Sequence, residues 1–265
     1  MTTPSSVTKA AVFRAIAHAR KSAKRFEANR VIPRDILKDM LQSTIRSPSG
    51  FNLQPTQIIM VHSAALKQEV SQHAMLGVGN QYRTVDASAL AVFLSDLQAG
   101  KRIDRIHQLE HASQMRHPNY LGSMPLASSF LLGQGHAATL LKRAATDVLS
   151  ELQPMPVMEP IHAWAYKNTA LALQSYVLAA TSHDLATCIM EGFDARRLSE
   201  ILRIPDDRYA ICACVATGYE YPEEKQQPST PRLAMEEVVF GETFGEPWAF
   251  EEEEEEDEAE ATRSA

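Results

Sequence analysis

Residues Trp164 to Ala180 read WAYKNTALALQSYVLAA, the most continuously apolar helical stretch in the chain. Apolar side chains fall on nearly every face of a 3.6-residue period, which places this helix at the centre of the molecule or in a subunit interface. The uncharged run that begins within it, Asn168 to Ser182, has 15 residues. That is short of the roughly 18 or more apolar residues a membrane span requires, so the stretch reads as a buried helix. Short apolar runs lie on either side of it: QIIMVH at Gln57 to His62, ALAVFL at Ala89 to Leu94, and YAICACVAT at Tyr209 to Thr217, closed by Gly218. Their length and composition predict buried strands.

Helical spacing appears between the strands. Pro33 precedes a Leu37, Met40, Leu41, Ile45 pattern, with proline where a missing amide costs nothing, and Ser47-Pro48-Ser49-Gly50 stops it. Ala64 to Ala74 and Asp194 to Leu202 are predicted helices, the latter ended by Ile204-Pro205. Residues 97 to 160 carry prolines at 118, 125, 154, 156 and 160, with a helical stretch from Ala137 to Leu152. Strands interleaved with helices predict an α/β or α+β sandwich.

The 265 residues are 45% hydrophobic and 22% charged, ordinary for a globular chain. Residues 251 to 265 carry nine acids and one arginine, so the net charge of −7 leaves the first 250 residues at +1. That near-neutral body argues against a general nucleic-acid binder. The acidic tail repels itself and is expected to be disordered; it reads as solvated rather than as a docking site for a basic partner. Cys188, Cys212 and Cys214 cannot all pair and have no CxxC spacing, which fits a reduced, cytoplasmic setting. The first 26 residues hold six bases and no acid, so a mitochondrial or other organelle address is the alternative. Cys212 and Cys214 are expected on opposite faces of their strand, and Met155, Met158 and Met190 in packing.

Three segments carry candidate chemistry. In Arg20-Lys21-Ser22-Ala23-Lys24, extended backbone turns Arg20, Ser22 and Lys24 to one face, a set suited to a phosphate and an adjacent polar edge. In Ser47-Pro48-Ser49-Gly50-Phe51-Asn52-Leu53-Gln54-Pro55, small residues permit close backbone approach, and Asn52 and Gln54 can pair with a heterocycle edge. Cys188-Ile189-Met190-Glu191-Gly192-Phe193-Asp194 reads as a connecting loop whose glycine lets main-chain amides face a ligand. Taken singly, these are a solvated strip, a capped turn and an ordinary loop.

Together, in order and spacing over roughly residues 12 to 240, they resemble the FMN-dependent nitroreductase family. The resemblance implies an α+β sandwich with a mixed central sheet flanked by helices, assembled as an intertwined homodimer with FMN at the interface. Residues 1 to 11 would then be a flexible start, 12 to 240 the FMN-binding domain and 241 to 265 the tail. An arm from Tyr221 to Phe240 would wrap the partner. The resemblance carries phosphate and flavin-edge binding to Arg20, Ser22 and Lys24, with Lys21 alongside. It makes Pro48, Ser49, Gly50 and Asn52, with Gln54 nearby, the loop that reaches the flavin of the other subunit. Asn80 would face the pyrimidine end, Arg83 would add a second cation, and Ile189, Glu191 and Gly192 would form the loop facing flavin N5. Arg232 would reach the phosphate, and Asn168 is a weaker correspondence in the central helix. Thr56 stands where the family has Trp, Ile189 where it has Pro, and only one of two late basic residues is present.

With Lys24 and Arg83 beside N1 and O2, the negative charge of the reduced ring would be held there, favouring two-electron transfer. The implied activity is ping-pong reduction of nitroaromatics or quinones, small-molecule acceptors, with NADH or NADPH as reductant. The acceptor pocket would be drawn from residues 100 to 160. Alternatives on the same scaffold are a flavin-binding module with negligible turnover, a dehalogenase, and a flavin-destroying enzyme. Outside it, His107-Gln108-Leu109-Glu110-His111 fits the H-x-x-E-H zinc pattern. The third ligand is not evident, and Lys101, Arg102, Arg105 and Arg116 favour an ordinary charged helix.

Overall fold

The computed structural model describes residues 8–132, 136–225 and 230–248. Its helices and strands follow in the order α1 (Lys9–Ala19), α2 (Arg34–Thr44), β1 (Thr56–Val61), α3 (Ala64–His73), α4 (Val78–Asp86), β2 (Ala89–Asp96), α5 (Ile103–Ser113), α6 (Pro118–Leu131), α7 (His136–Leu149), α8 (Ile161–Ser182), β3 (Ala186–Met190), α9 (Ala195–Leu202) and β4 (Tyr209–Gly218). The chain divides into one unit over Met1–Gln227 and a second over Pro228–Ala265, so the boundary expected at residue 240 falls inside the second unit. Helix α1 begins at Lys9, where the Thr8 hydroxyl caps it. The acidic run 251–265 lies outside the described residues.

The sheet order is β1-β2-β4-β3, and each neighbouring pair is antiparallel. Among the described residues, parallel pairing is confined to a single bridge, Ser22 to Thr187 at the β3 edge, so the mixed character of the sheet is narrower than expected. Strand alternation sends Leu90, Val92 and Leu94 to one face and Ala91 and Phe93 to the other. Phe26, Val70, Met75 and Leu198 pack on the first face. Leu37 and Met40 of α2, with Leu173, Tyr176 and Val177 of α8, pack on the second. These are the layers of an α+β sandwich, and all eight residues of β2 are buried at its centre.

The predicted central helix is present and extends beyond both expected ends. Ala165, Thr169, Ala172, Leu173, Tyr176 and Ala180 are buried, while Leu171 stays 44% exposed. Tyr176 hydrogen-bonds Thr217 at 3.0 Å and meets Phe93 edge-on at 5.5 Å. Burial pushes its phenol up to about 12, so it stays protonated.

Two elements differ from the sequence reading. Cys188 to Met190 belongs to β3 rather than to a loop, because Thr187 to Met190 complete their hydrogen bonds on β4. Residues 78 to 86 form α4, whose amphipathic pattern is too short to stand out. Cys212 and Cys214 do pack toward opposite faces, but a bulge is required. In a regular strand, residues two apart share a face. The register shifts at Phe93/Leu94, leaving Cys212 unopposed and turning it toward the α8 layer while Cys214 stays in the other. Burial raises all three thiols, Cys214 to about 12.

Candidate active site

Three of the stretches that the resemblance marks, 20–24, 80–83 and 189–192, meet at the β3 edge. Helix α1 ends at Ala19 and the chain leaves it extended. Ala23 is buried and its amide donates to the Thr187 carbonyl at 2.9 Å, which turns Ser22 and Lys24 outward with Arg20 half-buried beside them. Lys21, on the alternate side, pairs with buried Glu220 at 3.2 Å, so it belongs to the scaffold rather than to the outward face.

The second segment, on α4, is tied to both of the others. Arg83 Nε donates to the Lys24 carbonyl at 3.2 Å, and Arg83 Nη1 donates to Asn80 Oδ1 at 3.4 Å. Asn80 Nδ2 donates to the carbonyls of Leu76 (3.0 Å) and Gly192 (3.2 Å). The Leu76 amide also reaches the Gly192 carbonyl at 2.9 Å, and Asp194 donates to Ala74 at 2.7 Å. Asn80 was expected to face a ligand edge. Its amide holds the Glu191–Gly192 main chain and the Arg83 guanidinium in place. A Cβ at Gly192 would lie 2.5 Å from Asn80 Nδ2, so that approach requires glycine. Glu191 lies close enough to Cys212 for its charge to add to the rise of that thiol. Ile189 is 39% exposed on the β3 edge.

The loop 47–54 is built separately, against α8 and α5. Gly50 donates its amide to Asn168 Oδ1 at 2.7 Å, and Asn168 Nδ2 donates to the Trp164 carbonyl at 2.7 Å. Ser47 bonds Ser175 at 2.8 Å, and the Ser49 hydroxyl accepts from the Gln54 amide at 2.9 Å. Asn168, given above as a flavin neighbour, therefore serves as an anchor for the loop. Phe51, Asn52 and Gln54 hold φ of 51°, 55° and 48°, a conformation that L residues keep only when surroundings impose it. Part of that imposition comes from α5. Asn52 Nδ2 donates to Glu110 Oε1 at 3.1 Å, Gln54 Nε2 donates to Asn52 Oδ1 at 3.2 Å, and Arg102 Nη1 donates to the Gln54 carbonyl.

Glu110 was read as part of a charged helix face, yet it is only 5% exposed, and its second oxygen is buried without a hydrogen bond. Its neighbour in the zinc-like pattern, His107, spends Nε2 on the Leu121 carbonyl at 3.0 Å. Among the described residues, no group of three His, Cys, Asp or Glu is placed to hold a metal ion. Asp96, at the end of β2, is fully buried and pairs with Arg208 at 2.8 Å and Arg102 at 3.0 Å. Burial pushes its carboxyl up, but the Arg208 hydrogen bond, the Gln98 amide and both guanidinium charges outweigh this and hold it below the usual range. Glu110, Arg102 and Asp96 carry no local sequence signal, because each has a partner 48 to 112 residues away. Arg232 lies in the second unit, where Nη1 donates to Thr230 and Pro231.

The two groups of residues sit at opposite sheet edges. Segment 20–24 borders β3, and loop 47–54 runs into β1, three interstrand steps away. At about 4.8 Å per step, that is roughly 14 Å across one chain.

The molecule is thus an antiparallel α+β sandwich with cationic and glycine-bearing segments gathered at one edge. The chain belongs to the Nitroreductase family, whose model matches residues 17–219. It is 29% identical to the NADH dehydrogenase of Thermus thermophilus over 83% of this chain and 91% of that protein. It is 24% identical to the oxygen-insensitive NADPH nitroreductase of Helicobacter acinonychis, over 80% and 90%. In structure it resembles a Nitroreductase family protein of Streptococcus pneumoniae, with a TM-score of 0.66 and 18% identity over 86% of this chain and 98% of that one. A protein of Exiguobacterium sibiricum crystallised in complex with FMN gives 0.64 and 18%, over 86% and 95%. No helix among the described residues is long and apolar enough to cross a membrane.

Proposed function

We propose that this protein is an FMN-dependent NAD(P)H oxidoreductase that reduces nitroaromatic or quinone acceptors and works as a twofold dimer. The convergence of residues 20–24, 80–83 and 189–192 at the β3 edge carries this reading. Their donor set suits FMN: exposed Ser22 and Lys24 with Arg20 offer charge-assisted contacts to a phosphate, and Arg83 is held against the Lys24 carbonyl. The cofactor supplies two-electron transfer from NAD(P)H to the acceptor. For a nitro group, one oxygen leaves as water as NAD(P)H gives two electrons and a proton and the medium gives a second proton.

In this reading, Arg20, Ser22 and Lys24 bind the phosphate side, and Lys24 and Arg83 hold the negative charge that develops on the ring. The Glu191–Gly192 main chain lines the reactive edge, oriented by Asn80. Pro48, Ser49, Gly50 and Asn52 lie on the far edge of the sheet, so they serve the site of a second copy. The apolar face of α8 that one chain leaves open at Leu171 supports the same assembly.

The purified protein should be a yellow dimer that oxidises NADH or NADPH when a nitroaromatic is present. A colourless monomer that takes up no added FMN would end this reading. Arg20→Ala should weaken FMN binding by about 1–3 kcal/mol, the scale of one charge-assisted contact. Fluorescence titration checks this, and unchanged affinity removes Arg20 from the site.

A further inference from the structure

Between α2, the loop 47–54, β1 and α8 lies a cavity of about 460 Å³, within the range of small-molecule sites. Leu41, Ile45, Ile58 and Ala172 give it an apolar wall, and Arg102 is the only charged side chain in its lining. Arg102 is held at two points. Nη2 meets Asp96 at 3.0 Å, and Nη1 donates to the Gln54 carbonyl. Arg208 takes both oxygens of the same Asp96, at 3.2 and 2.8 Å, so that carboxylate is shared between two cations. Guanidinium has five N–H donors, and these contacts use two of them. A fixed, partly desolvated cation with spare donors, facing a cavity with no carboxylate in its lining, is a site for an anion on an apolar body.

We propose that this cavity is the acceptor subsite and takes an electron-poor aromatic that carries a carboxylate, with Arg102 reading the carboxylate. The proposal rests on the oxidoreductase reading above and adds to it the charge class of the acceptor. Arg102 comes from the turn after β2.

The test compares 4-nitrobenzoate with nitrobenzene in steady-state turnover, and titrates benzoate calorimetrically into the FMN-loaded protein. The native protein should show a higher kcat/KM for 4-nitrobenzoate and should bind benzoate. Arg102→Gln should lower the kcat/KM ratio of the two acceptors, and the benzoate affinity, at least tenfold, with Arg102→Lys recovering part of both. Ala172→Leu, which narrows the cavity without touching the ion pairs, should also weaken benzoate, and it keeps the test decisive if Arg102→Gln folds poorly. An unchanged acceptor ratio or unchanged benzoate binding in Arg102→Gln overturns the proposal. So does displacement of benzoate by 2′,5′-ADP without any carboxylate preference in turnover, because that assigns the cation to a nucleotide phosphate. Arg102-dependent benzoate binding in a protein that oxidises no NAD(P)H would uphold the anion site while ending the oxidoreductase reading. Turnover without that dependence would do the reverse.

Discussion

Gly192→Ala should raise the FMN dissociation constant at least tenfold, about 1.4 kcal/mol or more, while costing the fold only about 1 kcal/mol. The asymmetry follows from what the added methyl meets. Its nearest neighbour is the end of a movable side chain, Asn80 Nδ2 at 2.5 Å, and the Leu76 carbonyl oxygen lies at a comfortable 3.6 Å. Asn80 can swing away, and the sheet need not move. In doing so it gives up the carbonyls of Leu76 and Gly192 and its grip on Arg83. The Glu191–Gly192 main chain and the second cation would then lose their common support. FMN titration set beside a thermal melt measures both quantities. A variant that melts early yet binds FMN normally would show that Asn80 only fastens α4 to the β3 edge and plays no part in the site.

Asp96→Asn should destabilise the fold by about 3–5 kcal/mol, the range for removing one partner of a buried ion pair. Asp96 is fully buried, accepts from Arg208, Arg102 and the Gln98 amide, and has no solvent to fall back on. Urea unfolding checks the magnitude, and a loss under 1 kcal/mol would show that the two arginines find other partners. The same group predicts a pH dependence. Its carboxyl lies below the usual range in the folded protein, so its stabilisation is complete above the unfolded value of about 3.9. That stabilisation is lost as pH falls through this value toward the folded one. The native protein should lose stability steeply below about pH 4, and Asp96→Asn should flatten that part of the profile. An acid limb of equal slope in both proteins would assign the acid sensitivity to other carboxylates.

Much of the architecture could be read from local pattern. The runs at 57–62, 89–94 and 209–217 match β1, β2 and β4 within one or two residues at each end, because a strand packed on both faces needs an unbroken apolar run; β1, at the sheet edge, is only partly buried. Helix α8 was legible for the same reason. Strand β3 was not, because five residues including Ala186 and Cys188 look like strand only once β4 supplies their hydrogen bonds. Short α4 was missed similarly. Its Asn80 and Arg83 were picked out by resemblance, but their roles as ties to Gly192 and Lys24 depend on side-chain directions that spacing does not encode.

The sandwich class, the central helix and the segments that mark the family were legible locally, because periodicity and motif order are properties of neighbours along the chain. Tertiary structure alone decided that residues 20–24, 80–83 and 189–192 share one sheet edge while loop 47–54 lies at the other. It alone decided that Glu110, Asn168 and Arg102 hold that loop in its left-handed turns, and that Lys21 is bound to Glu220. Each of these depends on a charge or amide finding a partner far along the chain. Such a partner is selected by burial, where an unpaired polar group costs too much to leave alone.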